Sequence, residues 1–439
     1  MNTPARFLFL LPFALVALRL PAAEWPQFRG PERNGVMTER DVPVTWSEEQ
    51  NVRWKVSLPG RGWSSPVIWG DKVFLTTAVL TTPGDTPDSR RQDRTTTTEQ
   101  FRWEVYCLDR DTGAVRWKAV PREGNPRISM ETGNTYASET PVTDGERLYV
   151  SFGMMGLYCY DLEEKVVWKN DLGSHAMEAD WGTGSSPVLD GDTLYVPFDN
   201  EEASALIALE AKTGRERWRV KRERGSTWST PVIWRNSVRR ELVVHGIKTR
   251  SYDLKTGAML WELNFGGGRC IVSPVPDGDR LFIGNERKGG GGVIYAVRAG
   301  ASGDITPARG ATTSPGVIWS SPNSGLEMSS PISYQGFVYV LSRRNGLVFC
   351  YHAETGESAY FRTPIGGAGE FWASPWAYDG KIFCLDASGT THVLATGPEL
   401  KRVGRNRLND TFWASPAAAP GMLILRGENH VYGIAAGKR

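Results

Sequence analysis

Apolar and polar positions alternate along this chain in short runs. RLYVSF (147–152), TLYVPF (193–198) and FVYVLS (337–342) have the period of two expected of half-buried strands. The runs belong to a repeating unit. Each copy opens with a small hydroxyl residue and Pro, followed by an apolar stretch and a Gly- or Asp-containing turn. An alternating strand follows, then another that ends in an acidic residue, then Thr-Gly and a strand carrying Trp. The clearest copy is TWSTPVIW…ELVVHG…TRSYDLKTGAMLWEL, beginning at Thr227. The opening pairs are Ser65-Pro66, Thr140-Pro141, Ser186-Pro187, Thr230-Pro231, Ser273-Pro274, Ser330-Pro331, Ser374-Pro375 and Ser415-Pro416.

Regular spacings between these pairs are 46, 44, 43, 44 and 41 residues, and two are longer, at 75 and 57. A polar insertion at 80–102 and a Gly/Ser/Pro/Thr-rich stretch at 300–314 account for the excess. Four short strands in about 40–45 residues make one blade of a β-propeller. A single antiparallel sheet cannot bury both faces, whereas blades stacked around an axis bury them and shield their edges. The sequence therefore predicts an all-β, eight-bladed propeller of four-stranded antiparallel blades, with seven blades as the alternative. Trp117, Trp168, Trp218, Trp261 and Trp319 should pack between neighbouring blades. The sixth and seventh units are the weakest, with Tyr360 or Phe361 and Val403 where Trp is expected.

Closure is also written in the chain. The last unit ends GENHVYGIAAGKR without a Trp-bearing strand, and NVRWKVSLP (51–59) carries Trp54 with no unit before it. The N-terminal strand should complete the last blade and remove the open edge. The predicted organisation is a signal peptide (1–23), an N-terminal extended strap (24–45) and one propeller domain (46–439). For the signal, Arg6 is followed by the apolar run Phe7 to Leu18 and by Pro21-Ala22-Ala23. Twelve apolar residues are too few to span a bilayer of about 30 Å. The expected location is periplasmic or secreted.

Charge points to no polyanionic partner. Lys and Arg number 51 against 49 Asp and Glu, and the leader holds Arg6 and Arg19, leaving 49 against 49. The expectation is no nucleic acid, no transmembrane segment in the mature chain, a monomer, and a protein or polymer partner. The five Cys form no C-x-x-C or adjacent pair and read as small buried hydrophobes. No His pair has metal-ligand spacing, G-x-S-x-G is absent, and KGGGGV (288–293) reads as a flexible inter-strand loop.

The S-P…D-x-x-T-G-x-x-x-W unit resembles the repeat of the pyrroloquinoline-quinone (PQQ)-type propellers over roughly residues 46 to 435. The segment WPQFRGPERNGV (25–36) resembles the N-terminal strap of exported PQQ-like propeller proteins. The resemblance implies one of two roles. Quinoprotein dehydrogenases bind PQQ and Ca²⁺ on the axis, whereas the BamB-type outer-membrane assembly scaffold binds protein partners without a cofactor. The repeat itself reports blade packing and not cofactor binding. In the family, the ligand face is formed by loops entering the first strand and loops between the second and third.

Three residues before each repeat Pro stand Trp63, Ser138, Gly184, Trp228, Ile271, Met328, Trp372 and Trp413. They either pack blade tops together or wall an aromatic funnel. Arg61 and Arg269, five before their Pro, are candidates to meet a carboxylate. Glu131, Glu139, Glu178, Asp180, Glu327, Glu370 and Asp410 lie in the same class of loops; two of them with Asn134 or Asn409 would be needed to hold Ca²⁺. The candidate funnel residues are thus Arg61, Trp63, Trp228, Arg269, Glu327, Glu370, Trp372 and Trp413. Several features depart from the dehydrogenase branch. The mature chain is shorter, at about 415 residues (439 less the 23 of the leader), with no adjacent-Cys pair and no C-x-x-C-H. No catalytic residue and no metal ligand is assigned, and PQQ and Ca²⁺ find no identifiable ligands. The expectation is a binding or scaffold protein, with a PQQ- and Ca²⁺-dependent dehydrogenase of alcohols or sugars as the alternative. A polysaccharide- or peptide-binding module is a third reading.

Overall fold

Each hydroxyl-Pro pair starts the innermost strand of a blade, where Pro gives up no ladder bond. The computed structural model describes residues 24–38, 41–81, 98–287 and 291–437. The signal-peptide reading falls on 1–23, most of the insertion on 82–97 and part of the Gly-rich loop on 288–290, all outside the described residues. Eight antiparallel four-stranded sheets stand around an axis. They span 67–124, 142–170, 188–221, 232–264, 275–321, 332–364, 376–407 and 417–435, here blades 1 to 8. The count is eight and not the alternative seven. Among the described residues, helix is confined to two single turns, Gly153–Met155 and Glu178–Asp180. No helix among the described residues is long and apolar enough to cross a membrane.

Closure is as expected. Val52–Val56 pairs antiparallel with Val431–Ala435, Trp54 opposite Gly433, and supplies the fourth strand of blade 8. Two blades gain a short fifth strand. Glu24–Trp25 adds to the innermost strand of blade 1, and Gly303–Asp304 adds in parallel to the outermost strand of blade 4. The polar insertion begins and ends as a paired ladder: Lys72–Leu80 and Phe101–Asp109 stay in register until Leu80 faces Phe101.

The Thr-Gly turn and the Trp meet across blades. Trp54, Trp168 and Trp319 each donate Nε1–H to a carbonyl in the turn of the following blade: Arg110 (2.8 Å), Ala211 (2.9 Å) and Ala353 (3.0 Å). The indole lies on the turn glycine, so a Cβ on Gly113, Gly214 or Gly356 would stand 2.5–2.7 Å from it. The same glycines have φ of 72–75°. One residue type therefore satisfies both the turn and the inter-blade packing. Asp109 completes the turn by accepting from Thr112 N and Oγ1 at 2.9 and 2.8 Å. Trp261 departs from this pattern. Blade 5 has the 300–314 excursion in place of the turn, and Trp261 donates instead to Glu241 of its own sheet (2.8 Å).

Candidate functional site

The hydroxyls of the repeat build a ring. Ser65 N donates to Thr140 Oγ1 (3.0 Å), Thr140 N to Ser186 Oγ (2.9 Å), and the pattern passes from blade to blade until Ser374 N donates to Ser415 Oγ (3.0 Å). These hydroxyls tie the innermost strands together and line an axial funnel of about 1030 Å³.

All eight residues that stand three before a repeat Pro also line this funnel. Three of the four Trp are stacked on one another. Trp372 and Trp413 stack at 3.8 Å with planes 3° apart, and Trp63 stacks on Trp413 at 4.9 Å. The Arg343 guanidinium covers Trp372 at 5.1 Å and Arg61 covers Trp63 at 5.7 Å. Three indoles and two cations thus form one stack, each contact contributing about 0.5–1.5 kcal/mol. Opposite, Trp228 leans on Trp181 at 5.7 Å, and Arg269 sits 4.2 Å over Trp181. Trp63 and Trp228 also donate Nε1–H to Gly133 O (3.1 Å) and Gly182 O (2.8 Å) in the adjoining loops. Both readings of the Trp positions therefore describe the same atoms: the rings pack the blade tops and line the funnel.

Most of the charge is on one arc, with Arg362 also lining the funnel and Glu131 reaching it from the loop between blades 1 and 2. Glu286, Glu327, Arg269, Arg343 and Arg344 line the arc. Glu327 accepts from Ser342 Oγ (3.0 Å) and Arg344 N (3.3 Å). Glu286 is buried and meets Arg269 Nη1 at only 3.5 Å. Burial raises its pKa, Arg269 opposes that, and the neighbouring Glu327 adds to it. Arg269 also reaches Glu178 (3.6 Å) and separates the funnel from a side groove over Gly266, Gly267 and Gly268.

Of the candidate residues, Trp63, Trp228, Arg269, Glu327, Trp372 and Trp413 line the funnel; Arg61 and Glu370 do not. Arg61 is held by Thr132 O (2.9 Å) and Glu428 (3.2 Å), and Glu370 accepts from Trp372 Nε1 (3.1 Å). Asp410 is occupied by the amides of Thr411, Asn429 and His430. Alignment on the Pro missed Glu286, Arg343 and Arg344, which sit between second and third strands; the strand ends IGNE and LSRR were the signal for them. It also missed Phe28, which reaches the funnel from the N-terminal segment.

A quinone with Ca²⁺ needs a free aromatic face and converging hard-oxygen ligands. The stack of Trp63, Trp372 and Trp413 does not supply that face. The stacked indole faces are taken by one another and by Arg61 and Arg343. Among the described residues, no three His, Cys, Asp or Glu side chains converge as metal ligands.

Residues 102–360 match a family model described as outer membrane protein assembly factor BamB. No curated protein matches the chain. Among solved structures, the quinohemoprotein alcohol dehydrogenase ADHIIG from Pseudomonas putida HK5 is similar at TM-score 0.56 and 10% identity, covering 95% of this chain and 81% of that one. The computationally designed Ika8 protein is similar at TM-score 0.53 and 8% identity, covering 78% and 95%. BamB from Moraxella catarrhalis is 15% identical at TM-score 0.40, covering 67% and 95%. At these identities the structural likeness is one of fold alone. The family match spans more than half of the chain and agrees with the repeat and its blade geometry: this protein belongs to the PQQ-like β-propeller family that includes BamB.

Proposed function

We propose that the protein is an extracytoplasmic binding or scaffold propeller, monomeric, whose axial funnel receives a segment of a protein or polymer partner. One observation carries this reading: the funnel wall is made of mutually packed indoles, hydroxyls and a mixed-charge arc. Such a wall suits an extended, hydrogen-bonding chain better than a flat cofactor. The leader-like residues 1–23 and the family's BamB description support a place outside the cytoplasm.

The test is a titration of the mature chain with PQQ, with and without Ca²⁺, following Trp fluorescence. The 17 Trp include five at the funnel, so a bound quinone would quench strongly. The expected outcome is no saturable change. Saturable, Ca²⁺-dependent quenching at micromolar ligand would overturn the scaffold reading in favour of the dehydrogenase. A dye-reduction screen of alcohols and sugars would then follow.

A further inference from the structure

The funnel is not symmetric about its axis. Seven blades reach it only through loops at their tops and through ring hydroxyls, whereas blade 6 contributes from the innermost strand to the outermost. The wall there runs from Ser330, at the start of the first strand, and Ser342, at the end of the second, to Phe349 in the third (Leu347–His352) and Arg362 in the fourth (Ser358–Pro364). The funnel therefore has an arm that runs outward over blade 6. Three inter-strand spacings of about 4.8 Å make the arm about 14 Å long, the reach of about four extended residues.

A bulge shapes its outer end. Val348 pairs with Thr363 and Cys350 with Tyr360, so Phe361 and Arg362 together oppose Phe349. Arg362 takes φ of 50°, a backbone unfavourable to any residue but glycine. Bulges re-aim side chains, and here the re-aimed residue is the arginine that lines the end of the arm. Phe361 is 46% exposed and meets Phe349 edge-on at 5.0 Å.

Charge on the arm is unbalanced. Arg343 lies over Trp372, Arg344 and Arg362 are exposed, and among the described residues none of the three forms an ion pair. The two carboxylates that line this side are already engaged, Glu327 by Ser342 Oγ and Arg344 N, and Glu286 by Arg269. Three cations thus border an apolar floor of Leu347 and Phe349. The Trp372 face beside the arm is covered by Arg343. The arm therefore suits the carboxylates and apolar side chains of a peptide better than a stacked sugar ring. We infer that it receives an acidic segment of a protein partner in extended form, with Asp or Glu carboxylates on Arg344 and Arg362 and an apolar side chain against Leu347 and Phe349. The inference rests on the funnel reading above and names the class of chain that the funnel takes.

A display library of random linear heptapeptides, panned on the mature protein, tests this. Enrichment of Asp and Glu among the selected sequences is expected, and its loss when the bait carries Arg344→Gln and Arg362→Gln. Both arginines are exposed, so these changes should leave the fold intact. The control bait carries Lys401→Gln and Arg405→Gln, which remove the same net charge at the outer edge of blade 7. For a selected peptide followed by titration calorimetry, Kd should rise about tenfold in the first double variant and stay within about twofold of the parent in the control. Equal losses in both would reduce the arginines to general charge and overturn the arm. Selected peptides without acidic enrichment would also overturn it while leaving the funnel reading intact, whereas selection of no peptide at all would count against the funnel reading itself. Tighter binding of trigalacturonate than of the selected peptides would overturn the protein partner in favour of an anionic polysaccharide.

Discussion

Burial at Glu139 works against its charge. The residue is 1% exposed, and desolvation lifts its carboxyl from the usual 4.5 to about 7. The unfolded chain loses this proton near 4.5, while the fold retains it to about 7. Between those values the folded state binds more protons, so stability falls as pH rises through the window and is recovered below it. Glu139→Gln should therefore raise Tm relative to the parent at pH 8, by a stability gain on the order of 3 kcal/mol at most. At pH 4.5 the gain should nearly vanish. Thermal unfolding at the two pH values checks this; an equal effect at both would show that the site is not titrating. At the same scale, the equal spacing of Trp63, Trp228, Trp372 and Trp413 from each Pro puts them in equivalent loops that line the funnel, because the Pro fixes where its innermost strand begins. It could not place their faces: Trp372, Trp413 and Trp63 come from blades 7, 8 and 1, and their stacking exists only once the ring closes.

The Thr-Gly turn works as an element because it is read by the Trp of the preceding blade. Gly214 combines φ of 72° with a ring where a Cβ would go. Gly214→Ala should lower stability by about 1–3 kcal/mol, from the left-handed backbone and displacement of Trp168. Blade 2 supplies the converse. Its turn is one residue shorter, Glu164 holds φ of 81°, and Trp117 still finds Leu162 O at 3.0 Å. Glu164→Gly should raise stability by about 1 kcal/mol, since glycine adopts that backbone without strain. Urea unfolding of both variants gives the two signs. The repeat pattern made the strands and turns legible, as period-two alternation and D-x-x-T-G are local properties. The fifth strand Gly303–Asp304 was not legible, because its pairing with Met259–Asn264 depends on which edge lies within reach of the excursion.

Ring closure governs the whole molecule. Trp54 is 8% exposed, bonds to Arg110 O and packs on both Gly113 and Gly433, so it joins blade 8 to blade 1. Trp54→Ala should cost about 3–5 kcal/mol, read as a loss of Tm in one cooperative transition. A split into two transitions would show that the blades unfold independently of the closure. The sequence alone determined the blade and the strand that closes the ring, because each follows from a repeated local pattern and from two incomplete ends; eight blades and not seven was decided only when the Trp-less sixth and seventh units formed their sheets. Tertiary structure alone decided what the axis contains. The indole stack joins Trp63 to Trp413 across the closure of the ring, and the charged arc joins residues of blades 5 and 6. Their environment is set by burial and by neighbours from other blades, and a local pattern in the chain carries neither.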